Sequence, residues 1–181
     1  ALDRLMSDRY TIERRMMLAG TVWKDGRIAA SDIALNDIVI SREGPPRVVR
    51  FNNYVNDTFL NSYKADGIII STPTGSTGYS LSAGGPIISP QASMILMTPL
   101  APHTLNTRSI VFSPEEQITV EIGEGRDGRT EKGMASFDGD ANVSMKKGDK
   151  IVISRSGKDT RIIKINNISF LETLREKMSN S

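Results

Sequence analysis

Residues 71–85, "STPTGSTGYSLSAGG", combine short hydroxyl side chains with glycines at a density found nowhere else in the chain. Pro73 and Gly75 predict a sharp turn directly after the apolar run Ile68–Ile70, and the residues that follow predict a short helix over Ser76–Ala83. Hydroxyls and the free N–H groups of such a turn suit phosphates, sugar hydroxyls or a stacked base. The composition therefore favours a ligand-binding surface, and a self-capped turn is the alternative that the residues alone leave open.

Two further polar clusters could belong to the same site. Asn36 and Asp37 interrupt the apolar run "DIALNDIVIS", where polar groups cost free energy unless they are paired or face a cleft. A β-bulge or an outward-facing pair would explain them equally well. Asp66, just before the Ile run, is a third candidate and could equally be a turn residue.

The common catalytic patterns are missing. His103 is the single histidine, so a multi-histidine metal site is excluded, and its flanks predict a loop with a structural polar contact. Neither Gly-Lys-Ser/Thr nor a Gly-x-Gly-x-x-Gly dinucleotide fingerprint occurs. The Asp138-Gly139-Asp140 carboxylates are able to bind a metal, but this spacing is more typical of a turn.

Strand signals dominate the elements that must position these residues. Asp-Gly pairs recur at 25–26, 66–67, 127–128 and 138–139, as in an all-β sandwich. The predicted fold is therefore mainly β and sandwich-like, with a short helix after the glycine-rich turn and a C-terminal helix. We expect strands at 10–23, 28–41, 48–55, 58–63, 68–71, 94–98, 109–112, 118–122, 134–137, 151–155 and 161–165.

The termini predict helices. Residues 1–8 resemble the end of a helix, and Ser169 followed by Glu172 predicts a capping box for an amphipathic helix over 169–178. Its apolar side chains would be Phe170, Leu171, Leu174 and Met178. The chain starts at Ala1, which we interpret as a processed or excised piece.

Composition excludes several classes of protein. The 181 residues carry 23 basic and 21 acidic side chains, a net charge of +2, without the basic stripe of a nucleic-acid protein. The absence of Cys excludes disulfides and thiolate metal sites. No apolar run approaches the roughly 18 residues of a membrane helix and no secretory leader is visible. We expect a cytoplasmic protein that binds neither nucleic acid nor membrane.

Three stretches together resemble the NAD kinases. The family carries an Asn-Glu/Asp motif on a strand, seen here as "LNDIVI", and "DGIIISTPTGSTGYSLSAGGP" matches its central segment nearly letter for letter. "LMTPLAPHTLNTRSIVFS" is likewise similar to the family. One departure is Gly78, where the family usually has Ala.

The resemblance implies a β-sandwich-like C-terminal domain and a set of NAD contacts. Asn36 and Asp37 would hydrogen-bond the adenosine or ribose groups, and Tyr79 would stack on the dinucleotide. Lys64 and Asp66 resemble residues that reach the nicotinamide end of NAD held by a neighbouring subunit. The implied NAD-binding set is Asn36, Asp37, Lys64, Asp66, Thr74, Thr77, Gly78, Tyr79, Ser82 and Ala101.

A Gly-Gly-Asp-Gly segment, which in the family binds the triphosphate and supplies the general base, has no counterpart in these residues. We therefore expect residues 1–9 to end a helix of an N-terminal α/β domain, residues 10–167 to bind NAD, and residues 168–181 to pack on that domain. The implied ligands are NAD and ATP with Mg²⁺ or another divalent cation, in a homodimer or homotetramer. A non-catalytic dinucleotide-sensing or assembly module is the rival function, and a lipid kinase of the diacylglycerol type is a weaker one.

Overall fold

The structure is a computed structural model that describes residues 2–44, 49–104, 107–125, 131–166 and 168–179. Two six-stranded sheets, whose strand pairs are antiparallel, make up its body. The first sheet has the strand order β2-β1-β12-β9-β4-β5. Its strands are β1 (Thr11–Lys24), β2 (Arg27–Ala34), β4 (Val49–Val55), β5 (Thr58–Ala65), β9 (Ile118–Ile122) and β12 (Lys150–Lys164).

The second sheet has the order β11-β10-β3-β6-β7-β8 and contains the strands next to both candidate motifs. Because β3 and β6 are neighbours, the residues at the start of β3 lie beside those at the end of β6. These strands are β3 (Asp37–Arg42), β6 (Gly67–Ser71), β7 (Ile95–Leu100), β8 (Ile110–Phe112), β10 (Lys132–Phe137) and β11 (Ala141–Lys146).

The core lies between the two sheets. The first sheet contributes Leu18, Phe51 and Ile151, and the second contributes Ile38 and Ile68, all of them buried in one apolar cluster. Alternate residues of a strand point to opposite faces of its sheet, which explains the in–out pattern of β1 and β12. The prediction of a mainly β, sandwich-like fold is confirmed.

The run Ile68–Ile70 is buried on both faces of its sheet. Ile68 and Ile70 point into the core, while Ile69 is fully buried outside that cluster, on the opposite face. Residues 72–90 cover that outer face, and their own Ile88 is buried there. The glycine-rich segment is thus anchored on a buried apolar surface.

Apart from shifts of one or two residues at strand ends, the strands differ from the sequence predictions in three places. The strand predicted over 28–41 is two strands, β2 and β3, which belong to different sheets. The strands predicted over 151–155 and 161–165 are one long strand, β12, and β11 was not predicted. Of the four Asp-Gly pairs, 25–26 and 138–139 form hairpin turns with positive φ, and 66–67 leads directly into β6. The pair 127–128 lies outside the described residues.

Three helices complete the described residues: α1 (Leu2–Met6), α2 (Tyr79–Ser82) and α3 (Phe170–Ser179). The capping box predicted for α3 is present, since the Ser169 N–H donates to Glu172 Oε2 at 2.7 Å and the Glu172 N–H to Ser169 Oγ at 3.2 Å. The side chain of Met178 lies outside the described residues. Within the part of the chain that the structure describes, no helix is long and apolar enough to cross a bilayer.

Candidate functional site

The two motifs meet where the chain passes from the first sheet to the second. Leu35 and Asn36 form this passage, which we call the corner, between the end of β2 and the start of β3. The Thr72 N–H donates to the Asn36 carbonyl at 2.9 Å, and the Thr72 hydroxyl donates to the Leu35 carbonyl at 2.6 Å. A Cβ on Gly75 would lie 2.1 Å from the Asn36 oxygen. The glycine is therefore required by contact between two backbones.

Three of the eight hydroxyl side chains in residues 71–85 hold the segment in place, by hydrogen bonds within it or to neighbouring strands and the corner. Ser76 Oγ donates to the Pro73 carbonyl at 2.7 Å and accepts the Ile88 N–H at 3.0 Å. Ser80 Oγ lies 3.0 Å from Thr98 Oγ1 on β7. Thr72, Ser76 and Ser80 are buried and occupied by these contacts, so their hydroxyls hold the segment in shape.

The expected array of free N–H groups at a helix start is only partly correct. A 3-10 turn over Gly75–Thr77 precedes α2, and its N–H groups are largely used inside the segment. The Gly75 N–H donates to Thr72 Oγ1, the Ser76 N–H to the Pro73 carbonyl, and the Gly78 N–H to the Gly75 carbonyl. A ligand on this surface therefore has to be held mainly by side chains.

The outer face of the segment offers such side chains. Gly78, Tyr79 and Ser82 are exposed, and Tyr79, at 45% exposure, follows directly on Gly78, which has no side chain to cover its backbone. Asn36, at the corner, is exposed as well. An aromatic face, an amide and a hydroxyl are suitable groups for a base and its ribose.

Thr74 and Thr77 line a cavity of about 180 Å³ between the segment and α3. Arg15 of β1 lines the same cavity, and its side chain is only 12% exposed. Its Nη2 pairs with Glu13, whereas Nε and Nη1 of Arg15 and Oγ1 of Thr74 are buried without a partner among the described residues. Sequence patterns gave no signal for Arg15, since it lies on an ordinary strand.

Asp37 is the buried titratable group of the site, at 8% exposure. Burial and, secondly, the negative charge of Asp138 raise the pKa of its carboxyl from 3.8 to about 6. Opposite it on β6 lies Ser71, whose buried Oγ has no partner among the described residues. The carboxyl is therefore able to change its charge close to neutral pH.

Asp138 is a site residue that sequence reasoning placed only in a turn. The turn is present between β10 and β11, but the carboxylate also accepts the N–H groups of Leu35, Asn36 and Asp37 at 2.6, 2.8 and 3.0 Å. These three donors are about 100 positions away in sequence, so no local pattern could have revealed the contact.

Lys64, Asp66 and Ala101 form a separate cluster at the opposite end of β6. Asp66 pairs with Arg42 at 3.0 Å, and the His103 N–H donates to the Lys64 carbonyl at 2.9 Å. Six residues at about 3.3 Å each put roughly 20 Å between Asp66 and Thr72. The structure thus brings Asn36 and Asp37 together with the glycine-rich segment, and it keeps the other three predicted residues apart.

The architecture and the candidate site together define a two-sheet antiparallel β domain with a polar, partly exposed segment across one sheet. The sequence model of the ATP-NAD kinase C-terminal domain matches residues 35–165. The chain belongs to the NAD kinase family. This membership confirms the resemblance seen in the three sequence motifs.

Similar proteins extend over nearly the whole chain. It is 50% identical to the NAD kinase of Agathobacter rectalis over 180 residues, which cover 99% of this chain and 62% of that protein. Identity to the NAD kinase of Lachnospira eligens is 46% over 189 residues, with coverages of 98% and 64%. The chain spans about three fifths of the length of these curated relatives.

Solved structures show the same fold. Yeast NADH kinase complexed with NADH superposes with a TM-score of 0.88 at 28% identity, covering 98% of this chain and 51% of that one. An NAD kinase from Archaeoglobus fulgidus in complex with ATP superposes with a TM-score of 0.77 at 23% identity, with coverages of 99% and 65%. The second likeness supports the fold alone.

Proposed function

We propose that this chain is the NAD-binding and oligomerising part of an NAD kinase, which uses ATP to phosphorylate the 2′-hydroxyl of the adenosine ribose of NAD and yields NADP. The observation that carries the proposal is the contact between the corner and the glycine-rich segment. It places exposed Asn36 and buried Asp37 beside a segment that presents Tyr79 and Ser82. Similarity to a kinase complexed with NADH supports a dinucleotide ligand. The match to the ATP-NAD kinase domain supports ATP as the second ligand.

In this proposal the described residues bind and orient the acceptor. Asn36 and Asp37 hydrogen-bond the adenosine and its ribose, Tyr79 stacks, and Thr74, Thr77, Gly78 and Ser82 complete the surface. Lys64, Asp66 and Ala101 contact NAD that is held by a neighbouring subunit, since roughly 20 Å separates them from the other cluster. The protein would then act as a homodimer or homotetramer.

The transfer itself needs groups that this chain does not contain. The 2′-hydroxyl oxygen attacks the γ-phosphorus, the bond to the β–γ bridging oxygen breaks, ADP leaves, and the hydroxyl proton passes to a base. The resemblance assigns that base to the Asp of a Gly-Gly-Asp-Gly segment in an N-terminal α/β domain. We therefore propose that the 181-residue chain is inactive alone and that ATP enters with Mg²⁺ or another divalent cation.

NADP formation tests the proposal. ATP, Mg²⁺ and NAD are supplied to the 181-residue chain and to a version extended upstream to the length of its relatives. We expect NADP from the extended version only. If the 181-residue chain alone forms NADP, the proposal that it lacks the general base is wrong. NAD binding without any NADP from the extended version would favour the sensing or assembly module, and lipid phosphorylation would favour the diacylglycerol type.

A site variant makes the assay specific. Asn36→Ala in the extended version should raise KM for NAD about 10-fold, because one lost hydrogen bond costs about 1.4 kcal/mol. KM for ATP should stay unchanged. Asn61→Ala, on β5 of the other sheet, is the control; an equal effect of both variants on KM for NAD would count against a site at the corner.

A further inference from the structure

Among the described residues of the candidate site, Asp138 contacts only backbone atoms and no side chain. One of its carboxylate oxygens accepts the N–H groups of Asn36 and Asp37, the other accepts that of Leu35, and its own N–H donates to the Asp37 carbonyl at 3.0 Å. We propose that Asp138 is a positioning residue of the dinucleotide site, which holds Asn36 and Asp37 in place for the ligand. This inference rests on the function proposed above.

The corner needs such an acceptor because the chain changes sheets there. Leu35 and Asn36 belong to neither β2 nor β3, so the sheet ladders leave their N–H groups without partners. Backbone N–H groups that lose water without finding an acceptor cost free energy comparable to a lost hydrogen bond. A carboxylate that accepts three of them at once satisfies the corner and fixes its shape.

Turn chemistry alone does not explain these contacts. Asp138 and Gly139 have φ values of 48° and 85°, and Asp25 and Gly26 in the β1–β2 hairpin have nearly the same values of 49° and 76°. The Asp25 carboxylate pairs instead with Lys146 at 3.1 Å on the exposed surface. Two Asp-Gly turns with nearly the same φ values, one in a two-residue loop and one in a three-residue loop, thus differ in what the carboxylate contacts. Of the two, only the Asp138 carboxylate contacts the corner.

The corner is fixed from two sides. Asp138 accepts its N–H groups, while Thr72 donates to the carbonyls of Leu35 and Asn36, and Gly75 fits against Asn36 without a Cβ. A shift of the corner would therefore displace the Asn36 side chain and disturb the glycine-rich segment at the same time. This coupling gives Asp138, whose own side chain is exposed, an influence on ligand affinity through the positions of Asn36 and Asp37.

Asp138 also acts on Asp37 through its charge. Burial is the main cause that raises the pKa of the Asp37 carboxyl to about 6, and the charge of Asp138 adds to it. Among the described residues of the elements next to Asp37, β6 places the uncharged Ser71 opposite it, and the β10–β11 turn places Asp138 beside it. Removing the charge of Asp138 should therefore lower the pH at which Asp37 becomes ionised, which a purely structural residue would not do.

Asp138→Asn tests position and charge together, with Asp25→Asn as the matched control. Asn tolerates positive φ, so both variants keep their turns, but an amide has one acceptor where the carboxylate has two. The Kd for NAD is measured in the extended protein from pH 5 to 8. We expect Asp138→Asn to weaken binding at least 10-fold at pH 7. In our proposal Asp37 accepts a hydrogen bond from the ligand when it is ionised, so binding should follow its titration and the pH midpoint of binding should move downward. Asp25→Asn should leave both unchanged.

Amide hydrogen exchange of residues 35–37 is the second measurement, and it requires no ligand. Exchange there should accelerate in Asp138→Asn and stay unchanged in Asp25→Asn. Asp138→Glu keeps the charge and displaces the carboxylate, so it should weaken binding without lowering the midpoint. If Asp138→Asn does not fold, the affinity of Asp138→Glu for NAD still tests whether Asp138 is a positioning residue.

Each outcome has a distinct meaning. NAD binding by Asp138→Asn with the affinity and pH midpoint of the original protein would overturn the positioning role and leave the proposed function standing. Failure of the original protein to bind NAD would overturn the proposed function. If amide exchange at residues 35–37 is the same in Asp138→Asn as in the original protein, Asp138 does not fix the backbone of the corner, whether or not the protein binds NAD.

Discussion

Asp37 shows how one carboxyl links stability to the site. Its pKa of about 6 in the folded protein lies above the usual 3.8, because burial and the nearby charge of Asp138 disfavour the ionised form. Between about pH 4 and pH 6 the folded state consequently holds more protons than the unfolded chain. Stability contributed by this group is present below pH 4 and is lost as the pH rises through 6.

Asp37→Asn should remove this pH dependence. Relative to the original protein, its free energy of unfolding should rise between pH 4.5 and pH 7.5 by an amount on the order of 2 kcal/mol, because most of the shift from 3.8 to about 6 falls inside this window and one pKa unit corresponds to about 1.4 kcal/mol. Urea unfolding at pH 4.5 and 7.5 measures the difference. Asn36→Ala, next to it and without a titratable group, should differ from the original protein equally at both pH values.

Gly75 and Gly78 offer a contrast within one segment. Gly75→Ala should lower the free energy of unfolding by about 3 kcal/mol, because its Cβ would lie 2.1 Å from the Asn36 carbonyl oxygen and neither backbone is free to move. Gly78→Ala should cost less, about 1 kcal/mol, because the nearest atom, the Gly75 oxygen, would lie at 3.3 Å, a tight contact that a small shift relieves. Urea unfolding distinguishes them, and equal losses would contradict the close approach at Gly75.

At the scale of elements, local patterns predicted most strands and missed the connections. Alternation and Asp-Gly turns located β1, β6 and the β10–β11 hairpin turn. The break between β2 and β3 has neither Gly nor Pro, since Asp138 satisfies its N–H groups from a distant hairpin. The partners of the hydroxyls in the glycine-rich segment are also distant in sequence. Local patterns therefore could not distinguish the hydroxyls that hold the segment, such as Ser76, from those that are free to contact a ligand.

The capping box of α3 is an element that local sequence predicted fully, and its strength is testable. Ser169→Ala should cost the helix about 1 kcal/mol, which corresponds to about 5-fold faster amide exchange in its first turn. No side chain described in α3 is buried, so global stability should hardly change. Ser179→Ala, at the last residue, is the control. Equal acceleration by both variants would mean that Ser169 does not act as a cap.

At the scale of the molecule, both terminal helices adjoin the same end of the neighbouring strands β1 and β12. Thr11 at the start of β1 is paired with Lys164 at the end of β12, and Arg4 Nη1 of α1 donates to the Ile165 carbonyl at 2.8 Å. Apolar side chains are exposed on both helices, among them Met6 at 83% and Leu171 at 67%. This supports the proposal that an upstream α/β domain packs here, close to Thr74 and the cavity.

Leu171→Ser tests that packing by comparing two lengths of the protein. In the 181-residue chain the side chain is mostly exposed, so the substitution should change the free energy of unfolding by less than about 0.5 kcal/mol. In the version extended upstream it should cost about 2 kcal/mol, the value of a buried Leu side chain. Ile28→Thr, at a 60% exposed position on β2, should have little effect in either version. A small effect of Leu171→Ser in both versions would show that the upstream region does not cover α3, because a buried leucine cannot be replaced by serine without loss of apolar contact.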